Sequence, residues 1–273
     1  MFQQKIILVT GGGSGIGNAA AQMLAQQANI VYAASRTPER TVIANELKQT
    51  LFAVKLDVNN EANVEALVAE IVAKHGRLDV LVCNAGNGVA GAVEDCSAED
   101  VKYQFETNFF GLVKCVNACL KQFRAQKSGK IISISSVAAM VPIPYQVFYS
   151  ASKSAVLMFS KGLAMELKPW GIQCCCILPG DTKTGFTHAR HYTAMAQNEN
   201  SIYHASMTKA LKKMEKDEEN GMSPLVIAKA IAREVNAKKM NQVVVPGIGY
   251  KAICMLTRLL PTTTLQWVVR KMY

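Results

Sequence analysis

The feature that most constrains the fold is a glycine-rich turn between an apolar segment and a helix-forming one. Residues 10–17 read Thr-Gly-Gly-Gly-Ser-Gly-Ile-Gly and directly follow the apolar segment 5–9. A buried strand, a tight glycine turn and a helix in this order are typical of a parallel α/β sheet that holds a pyrophosphate, because side chains would block the approach of backbone N–H groups to the phosphates. The spacing Gly-x-x-x-Gly-x-Gly therefore predicts a nucleotide site.

Strand and helix patterns alternate through the rest of the chain, as in successive βαβ units. Of its 273 residues half are apolar, enough for one large core, although the length alone would also allow two small domains. No repeat or linker interrupts the pattern, so we predict a single domain over residues 1–273. Its fold class is α/β, a Rossmann-type doubly wound parallel sheet of about seven strands with helices on both faces. The predicted strands are 5–9, 30–34, 52–56, 78–83, 130–135, 172–178 and 243–245, and the predicted helices are 16–28, 38–49, 62–74, 103–125, 148–167 and 223–236.

Two segments depart from this alternation. Residues 181–222 are polar, and we interpret them as a largely helical lid over the site. Residues 247–273 form a basic and apolar C-terminal extension, and from Val235 onward the chain has six basic residues and no acidic one. Contact with an anionic membrane surface or a lipid-like substrate is one interpretation, and packing on the core with the charges in solvent is the other. No nucleic-acid motif accompanies the charge, so nucleic acid is not an expected partner.

Composition and patterning also disfavour other classes of protein. No run of about 18 apolar residues predicts a spanning helix, and residues 1–9 are too short for a secretory signal. We therefore expect a cytoplasmic protein, with peripheral membrane contact through the extension as its only membrane association. The eight cysteines include Cys174, Cys175 and Cys176, which alternate between the faces of a strand and cannot converge on one metal. We predict buried free thiols and no metal site.

The end of the second predicted strand distinguishes NAD from NADP. A carboxylate there binds the ribose 2′-hydroxyl of NAD, whereas the 2′-phosphate of NADP requires a cation. This strand ends with Ser35 and Arg36, and no carboxylate occurs before Glu39. Arg36 can present its guanidinium to a phosphate and Ser35 can donate a hydrogen bond, which favours NADP(H). The alternative is an arginine that is simply exposed on a turn.

A tyrosine and a lysine past the middle of the chain indicate acid–base chemistry. Tyr149 and Lys153 are four residues apart in a predicted helix, so they share a face one turn apart. A nearby ammonium favours the phenolate, and we expect it to lower the pKa of Tyr149 from about 10 towards neutrality. Such a phenol can protonate an alkoxide as hydride arrives, or take the alcohol proton in the reverse direction. Ser136, at the end of a predicted strand, can hold the same oxygen.

In the order and spacing of these motifs, the chain resembles the short-chain dehydrogenase/reductase family over nearly its whole length. The resemblance implies that Tyr149 is the acid/base and that Ser136 orients the carbonyl. It also implies that Lys153 binds the nicotinamide ribose and that Asn108 holds a water in a proton relay. We choose Ser136 over its neighbour Ser135 because the family's serine-to-tyrosine spacing falls on it.

The same resemblance implies an NADP(H) site. Asp57 and Val58 would border the adenine, Asn84 would stabilise the central sheet, and residues 179–184 would embrace the nicotinamide. Ser14 stands where many NADP(H)-using members carry a basic residue, and Cys83 stands where members more often have Asn. The residues expected to bind the cofactor are Gly11, Gly13, Ser14, Gly15, Ile16, Gly17, Ser35, Arg36, Asp57, Val58, Asn84, Ala85, Gly86, Tyr149, Lys153, Pro179, Gly180, Thr182 and Thr184.

The lid and the C-terminal extension resemble those of family members that act on steroids, retinoids and other lipid-like ketones or alcohols. We therefore expect an NADP(H)-dependent oxidoreductase of a bulky hydrophobic ketone or secondary alcohol, such as a hydroxysteroid dehydrogenase or a lipid ketoreductase. The alternatives are a 3-oxoacyl-type ketoreductase, a non-catalytic NADP(H)-binding regulator, and a peripheral membrane protein whose extension is its main function. By the same resemblance a homodimer or homotetramer would form through the helices 103–125 and 148–167.

Overall fold

Seven parallel strands form the centre of the protein in a computed structural model that describes residues 4–272. In chain order the strands are β1 (Ile6–Thr10), β2 (Ile30–Ser35), β3 (Leu51–Lys55), β4 (Val80–Cys83), β5 (Val89–Ala90), β6 (Gly129–Ile134), β7 (Ile172–Ile177), β8 (His191–Tyr192) and β9 (Val243–Val244). The sheet order is β3-β2-β1-β4-β6-β7-β9, and β5 pairs with β8 separately. The strand order reverses between β1 and β4, and open parallel sheets bind ligands at such a point.

Helices cover both faces of this sheet. They are α1 (Gly15–Gln26), α2 (Glu61–His75), α3 (Ala98–Phe105), α4 (Gly111–Gln126), α5 (Val147–Glu166), α6 (His204–Glu219), α7 (Pro224–Asn236), α8 (Ile248–Leu256) and α9 (Thr262–Met272). Ile6 and Leu8 of β1 pack with α2, α4 and α5, whereas Ile7 and Val9 pack with α1 and α7. Both sides of β1 are thus buried, which explains its continuous apolar sequence. The predicted fold class, a doubly wound α/β sheet, is confirmed.

The three consecutive cysteines follow the alternation of β7. Cys174 and Cys176 lie in the core layer of α4 and α5, and Cys175 lies in the layer of α1 and α7. All three are buried free thiols, and burial raises the pKa of Cys174 to about 12. They therefore act as small apolar side chains, as predicted.

The helix predicted over residues 38–49 is wrong. Two short 3₁₀ turns, Pro38–Arg40 and Asn45–Leu47, occupy this segment instead. The β-branched run of Thr41, Val42 and Ile43 lowers helix propensity, and in the second turn only Leu47 is buried. Without a buried apolar face a short helix is not stable, so the segment follows the surface as a loop.

The helix predicted over residues 103–125 is interrupted. α3 ends at Phe105, and a π-helical turn over Glu106–Phe110 precedes α4. Asn108 is in this turn and is buried. Insertions of this kind into α-helices are frequent at functional sites, and side-chain periodicity does not reveal them.

The predicted lid over residues 181–222 is only partly helical. It contains β8, a 3₁₀ turn over Met195–Gln197, and α6. Met207, Leu211 and Met214 of α6 pack against Ala90 of β5 in a small apolar cluster of their own. The segment is therefore attached to β5, through pairing with β8 and through the apolar side chains of α6.

The chain beyond β9 forms α8 and α9. The Tyr250 ring of α8 lies against Gly180, where an added Cβ would be 2.2 Å from a ring carbon, and the Tyr250 hydroxyl donates to Asp181 Oδ2 at 2.7 Å. Ile248 and Leu259 are 91% and 75% exposed. Within residues 4–272 no helix is both long enough and apolar enough to cross a membrane.

Hydrogen bonds connect the carboxyl ends of β1 and β4. Thr10 Oγ1 accepts hydrogen bonds from the backbone N–H groups of Asn84 at 3.1 Å and Ala85 at 3.2 Å. The Asn84 side-chain amide donates to the Thr10 and Gly11 carbonyl oxygens at 3.2 and 3.0 Å. These bonds fix the distance between the glycine turn and the segment after β4.

We expect Thr10→Val to lower the free energy of unfolding by about 1–3 kcal/mol, because it keeps the side-chain volume but leaves two backbone donors without an acceptor. Urea denaturation followed by circular dichroism measures the change. Thr263→Val, on the exposed side of α9, is the control and should change stability by less than about 0.5 kcal/mol. Equal stability of the Thr10 variant and the unmodified protein would show that these bonds do not brace the two strand ends.

Candidate active site

The glycine turn presents the N-terminus of α1 to the carboxyl edge of the sheet. A Cβ at Gly17 would lie 2.2 Å from the Gly11 carbonyl oxygen, and Gly11 itself has φ +64°. α1 begins at Gly15 without an acidic residue in its first turn, and among the described residues the Ser14 side chain caps none of its N–H groups. Ile16 packs partly against the α1–α7 core layer. The turn therefore offers free N–H groups and a positive helix end to an anion.

The loop after β7 crosses from the end of β6 to this turn. The Ser136 hydroxyl donates to the Pro179 carbonyl oxygen at 3.4 Å. At its other end, the Thr184 side chain lies 3.3 Å from the position of a Cβ on Gly15. The Thr182 hydroxyl donates to the carbonyl oxygen two residues before it at 2.8 Å. The predicted nicotinamide loop and glycine turn thus face each other across one crevice.

Three of the predicted residues converge beneath this loop. A Cβ on Gly86 would lie 3.2 Å from Asn108 Oδ1 and 3.4 Å from Lys153 Nζ. Asn108 Oδ1 accepts from the Asn87 N–H at 2.8 Å, and Asn108 Nδ2 donates to the Ser152 hydroxyl at 3.1 Å. The buried asparagine therefore joins the segment after β4 to α5.

The Tyr149 side chain is in the first turn of α5. Lys153 Nζ lies 5.8 Å from the centroid of the Tyr149 ring, and the Phe186 ring centroid lies 5.7 Å from it on the lid side. The Ser136 hydroxyl neighbours the phenol closely enough to act on its pKa. The Ser135 hydroxyl instead donates to the Lys153 carbonyl oxygen at 2.6 Å. A phenol, a hydroxyl and an ammonium therefore lie together at one point of the crevice.

The acid–base properties of this group differ from the expectation. Desolvation raises the pKa of Tyr149 to about 12, with the Ser136 hydroxyl acting in the opposite direction. Burial lowers the pKa of Lys153 to about 8, and its ammonium donates to the Ile134 carbonyl oxygen at 3.0 Å. The expected lowering of the tyrosine pKa by the lysine is wrong, because loss of water around the phenol dominates its pKa and raises it.

A second part of the crevice lies at the carboxyl ends of β2 and β3. Ser35 ends β2, and Arg36 follows it on the surface. The Val58 side chain is buried against Gly111 and does not line this region. A cavity of about 440 Å³ here is lined by Arg36, Lys55, Asp57, Asn60 and Asn63. The sequence analysis did not predict Lys55 as a site residue, because its proximity to Arg36 depends on the pairing of β2 with β3.

Residues 181–222, the predicted lid, contain a buried charged cluster that motif spacing does not reveal. The Arg190 side chain is fully buried and donates to Glu218, which also accepts from the Thr187 hydroxyl at 2.6 Å. With its side-chain oxygen turned towards Arg190, Gln146 accepts from Nε at 2.9 Å. Both Glu218 and Arg190 act on the pKa of Tyr149. The cluster therefore ties α6 to the start of α5, beside the phenol.

Comparison with known proteins agrees with this geometry. The sequence model of the short chain dehydrogenase family matches residues 5–194. The chain is 42% identical to a 3-ketodihydrosphingosine reductase of Bacteroides thetaiotaomicron over 87% of this chain and 86% of that protein. It is 34% identical to an NADPH-dependent 1-acyldihydroxyacetone phosphate reductase of Schizosaccharomyces pombe, over 75% of this chain and 69% of the relative. It is 38% identical to a 3beta-hydroxysteroid dehydrogenase of Mediterraneibacter gnavus, over 68% of this chain and 69% of that protein.

Solved structures share the architecture. A short-chain dehydrogenase from Streptomyces avermitilis superimposes with a TM-score of 0.84 at 26% identity over the whole of both chains. A short-chain dehydrogenase/reductase from Burkholderia phymatum in complex with NAD superimposes with a TM-score of 0.81 at 25% identity over 94% of each chain. ElxO with NADP bound gives 0.73 at 27% identity over 92% of this chain and all of the other. By sequence and fold, this chain belongs to the short-chain dehydrogenase/reductase family, oxidoreductases that act on CH–OH and C=O groups with a nicotinamide cofactor.

Proposed function

We propose that this chain is an NADPH-dependent reductase of a long-chain lipid ketone of the 3-ketodihydrosphingosine type. The observation that carries the proposal is the convergence of Ser136, Tyr149 and Lys153 beneath the loop after β7. The 42% identity to a 3-ketodihydrosphingosine reductase supports the lipid substrate, and the similarity to a 3beta-hydroxysteroid dehydrogenase keeps bulky steroid ketones in the same class. Arg36 and the absence of a carboxylate between it and Glu39 support NADP(H) over NAD(H).

The side chains have separate roles in the proposed reaction. The bound NADPH supplies the hydride. Tyr149 donates its proton to the carbonyl oxygen, which it holds together with the Ser136 hydroxyl. Lys153 supplies positive charge beside the phenol and, as the family resemblance implies, would donate a hydrogen bond to the ribose of a bound nicotinamide cofactor. Asn108 completes the proton path through a water, as the family resemblance implies.

A groove at the start of α5 suits the alkyl chain of such a substrate. Its volume is about 570 Å³, and it is lined by Ala92, Val93, Glu94, Pro144, Tyr145, Val147 and Tyr203. The groove residues Pro144, Tyr145 and Val147 shortly precede Tyr149 in the chain, and this proximity in sequence is the support for placing the alkyl chain here. Tyr203 spans the groove from the lid side, where its hydroxyl donates to Glu94 at 2.8 Å.

The surfaces of α5 and of the C-terminal extension support two further parts of the proposal. Met158 and Met165 lie seven residues apart on one face of α5 and are 67% and 70% exposed, which suits a homodimer or homotetramer interface on this helix. In the extension, exposed Ile248, Leu259 and Trp267 occur among basic residues, which suits peripheral contact with an anionic membrane. A cytoplasmic enzyme with this extension could take a lipid substrate from a membrane surface.

NADPH oxidation against 3-ketodihydrosphingosine, steroid, retinoid, 3-oxoacyl and small ketones tests the reaction. We expect turnover with the long-chain ketone, lowered about 10²–10⁴-fold by Tyr149→Phe because the variant has no proton to donate. Tyr103→Phe, at an exposed tyrosine, is the control and should retain full activity. Turnover restricted to 3-oxoacyl ketones would make the chain a ketoreductase of that type. Tight NADPH binding without turnover of any ketone would make it a regulator.

The pH dependence of kcat/KM tests the role of Lys153. The pKa of Lys153 is about 8, so below that pH its side chain is a charged ammonium. The pKa of Tyr149 is about 12, so the phenol keeps its proton throughout this range. We therefore expect kcat/KM for ketone reduction to fall about tenfold per pH unit above about pH 8. In Lys153→Arg the guanidinium stays protonated, so this decline should disappear whatever the absolute rate. The same decline in both proteins would assign the titration to another group.

Vesicle sedimentation tests the membrane contact. We expect the protein to sediment with anionic phosphatidylserine vesicles, and the double variant Leu259→Ser/Trp267→Ser to remain in the supernatant, because two exposed apolar side chains are lost. The variant should still reduce a short water-soluble ketone, since Tyr250 and the loop after β7 are unchanged. Leu225→Ser, 52% exposed on α7, is the control and should sediment normally. An unmodified protein that stays in the supernatant would show that the extension packs only on the core.

A further inference from the structure

Two cations share the cavity at the ends of β2 and β3. Ser35 and Lys55 are paired across these strands and both are terminal residues, so their side chains lie on the same face of the sheet. Arg36 and Lys55 both line the 440 Å³ cavity. The glycine turn has the uncharged Ser14 where many NADP(H)-using family members have a basic residue. In this chain Lys55 of β3 provides a second positive charge beside that of Arg36.

Two hydroxyl groups around Gly13 of the glycine turn have no hydrogen-bond partner in the part of the chain that the structure describes. Ser35 Oγ and Thr41 Oγ1 are both buried, and within residues 4–272 neither makes a hydrogen bond. Both lie around Gly13, where an added Cβ would be 2.9 Å from Ser35 Oγ and 3.3 Å from Thr41 Oγ1. Buried hydroxyls are almost always hydrogen-bonded in folded proteins, so two unpaired ones around a glycine indicate a place for ligand oxygens.

The loop that replaces the predicted helix explains why Thr41 is here. After the 3₁₀ turn Pro38–Arg40 the chain returns towards the glycine turn, and the Val42 carbonyl oxygen accepts a hydrogen bond from Asn18 Nδ2 of α1 at 3.2 Å. A continuous helix over this segment would have carried Thr41 along the surface. The loop therefore places the Thr41 hydroxyl next to Gly13 of the glycine turn.

We propose that Thr41 and Lys55, with Ser35 and Arg36, form the pocket for the 2′-phosphate of NADP(H). The inference rests on the proposed function and deepens its choice of cofactor. Two cations and two hydroxyl donors match a phosphate dianion, which accepts several hydrogen bonds and requires compensation of its charge. Asp57 lines the same cavity, and its carboxylate accepts a hydrogen bond from the Asn59 N–H at 3.0 Å.

Calorimetric titration with NADP⁺ and NAD⁺ tests the pocket without any turnover. We expect Lys55→Met to weaken NADP⁺ binding about tenfold or more, because a charge-assisted hydrogen bond is lost, and to leave NAD⁺ binding unchanged. Lys48→Met, an exposed lysine before β3, is the control and should bind both nucleotides normally. Equal weakening of both nucleotides, or no weakening of either, would overturn the role of Lys55.

Thr41→Val distinguishes a phosphate donor from a structural side chain. The variant removes an unpaired buried hydroxyl at nearly constant volume, so the protein without nucleotide should melt at a higher temperature while NADP⁺ affinity falls several-fold. A variant with lower melting temperature and unchanged NADP⁺ affinity would overturn the role of Thr41. If the unmodified protein binds NAD⁺ as tightly as NADP⁺, the proposed cofactor itself is wrong. If it prefers NADP⁺, and Arg36→Leu but not Lys55→Met removes the preference, only the role of Lys55 is wrong.

Discussion

The hydrogen bonds from the segment after β4 to Thr10 set the geometry on which the rest of the site depends. They hold two strand ends together at the point where the sheet order reverses, so the glycine turn and Gly86 face one crevice. The turn tolerates this closeness only because Gly17 leaves room for the Gly11 carbonyl oxygen. The loop after β7 and the side chains of Asn108 and Lys153 are positioned relative to these two strand ends.

Motif and periodicity predict this framework well, because strand burial and glycine spacing are local properties of the sequence. The alternation of β1 between two core layers and the helix that begins at Gly15 follow directly from them. The exceptions arise from tertiary contacts. The loop over residues 38–49 forms because this segment has too few buried side chains to stabilise a helix. The π-helical turn buries Asn108, which side-chain periodicity does not predict. The pKa of Tyr149 depends on how deeply the fold buries the phenol, which spacing to Lys153 does not specify.

Residues 181–222 contribute charged groups that act on Tyr149. The Arg190 side chain is fully buried. Its charge is compensated inside the protein by the Glu218 carboxylate and by the Gln146 side-chain oxygen. Because an uncompensated buried charge is costly, the cluster opposes separation of α6 from the start of α5. Glu218 and Arg190 also act on the pKa of Tyr149, so the position of α6 and the electrostatics of the phenol depend on one network.

The contact between Tyr250 and Gly180 makes two distant positions interdependent. The tyrosine ring occupies the volume that any side chain at position 180 would need, and the hydroxyl is bonded to the next residue, Asp181. The extension and the loop after β7 are thus complementary in shape and in hydrogen bonding at this contact. A chimera that exchanges the C-terminal segment between relatives would have to transfer the complementary residue as well. Homologous sequences are therefore expected to vary at these two positions together.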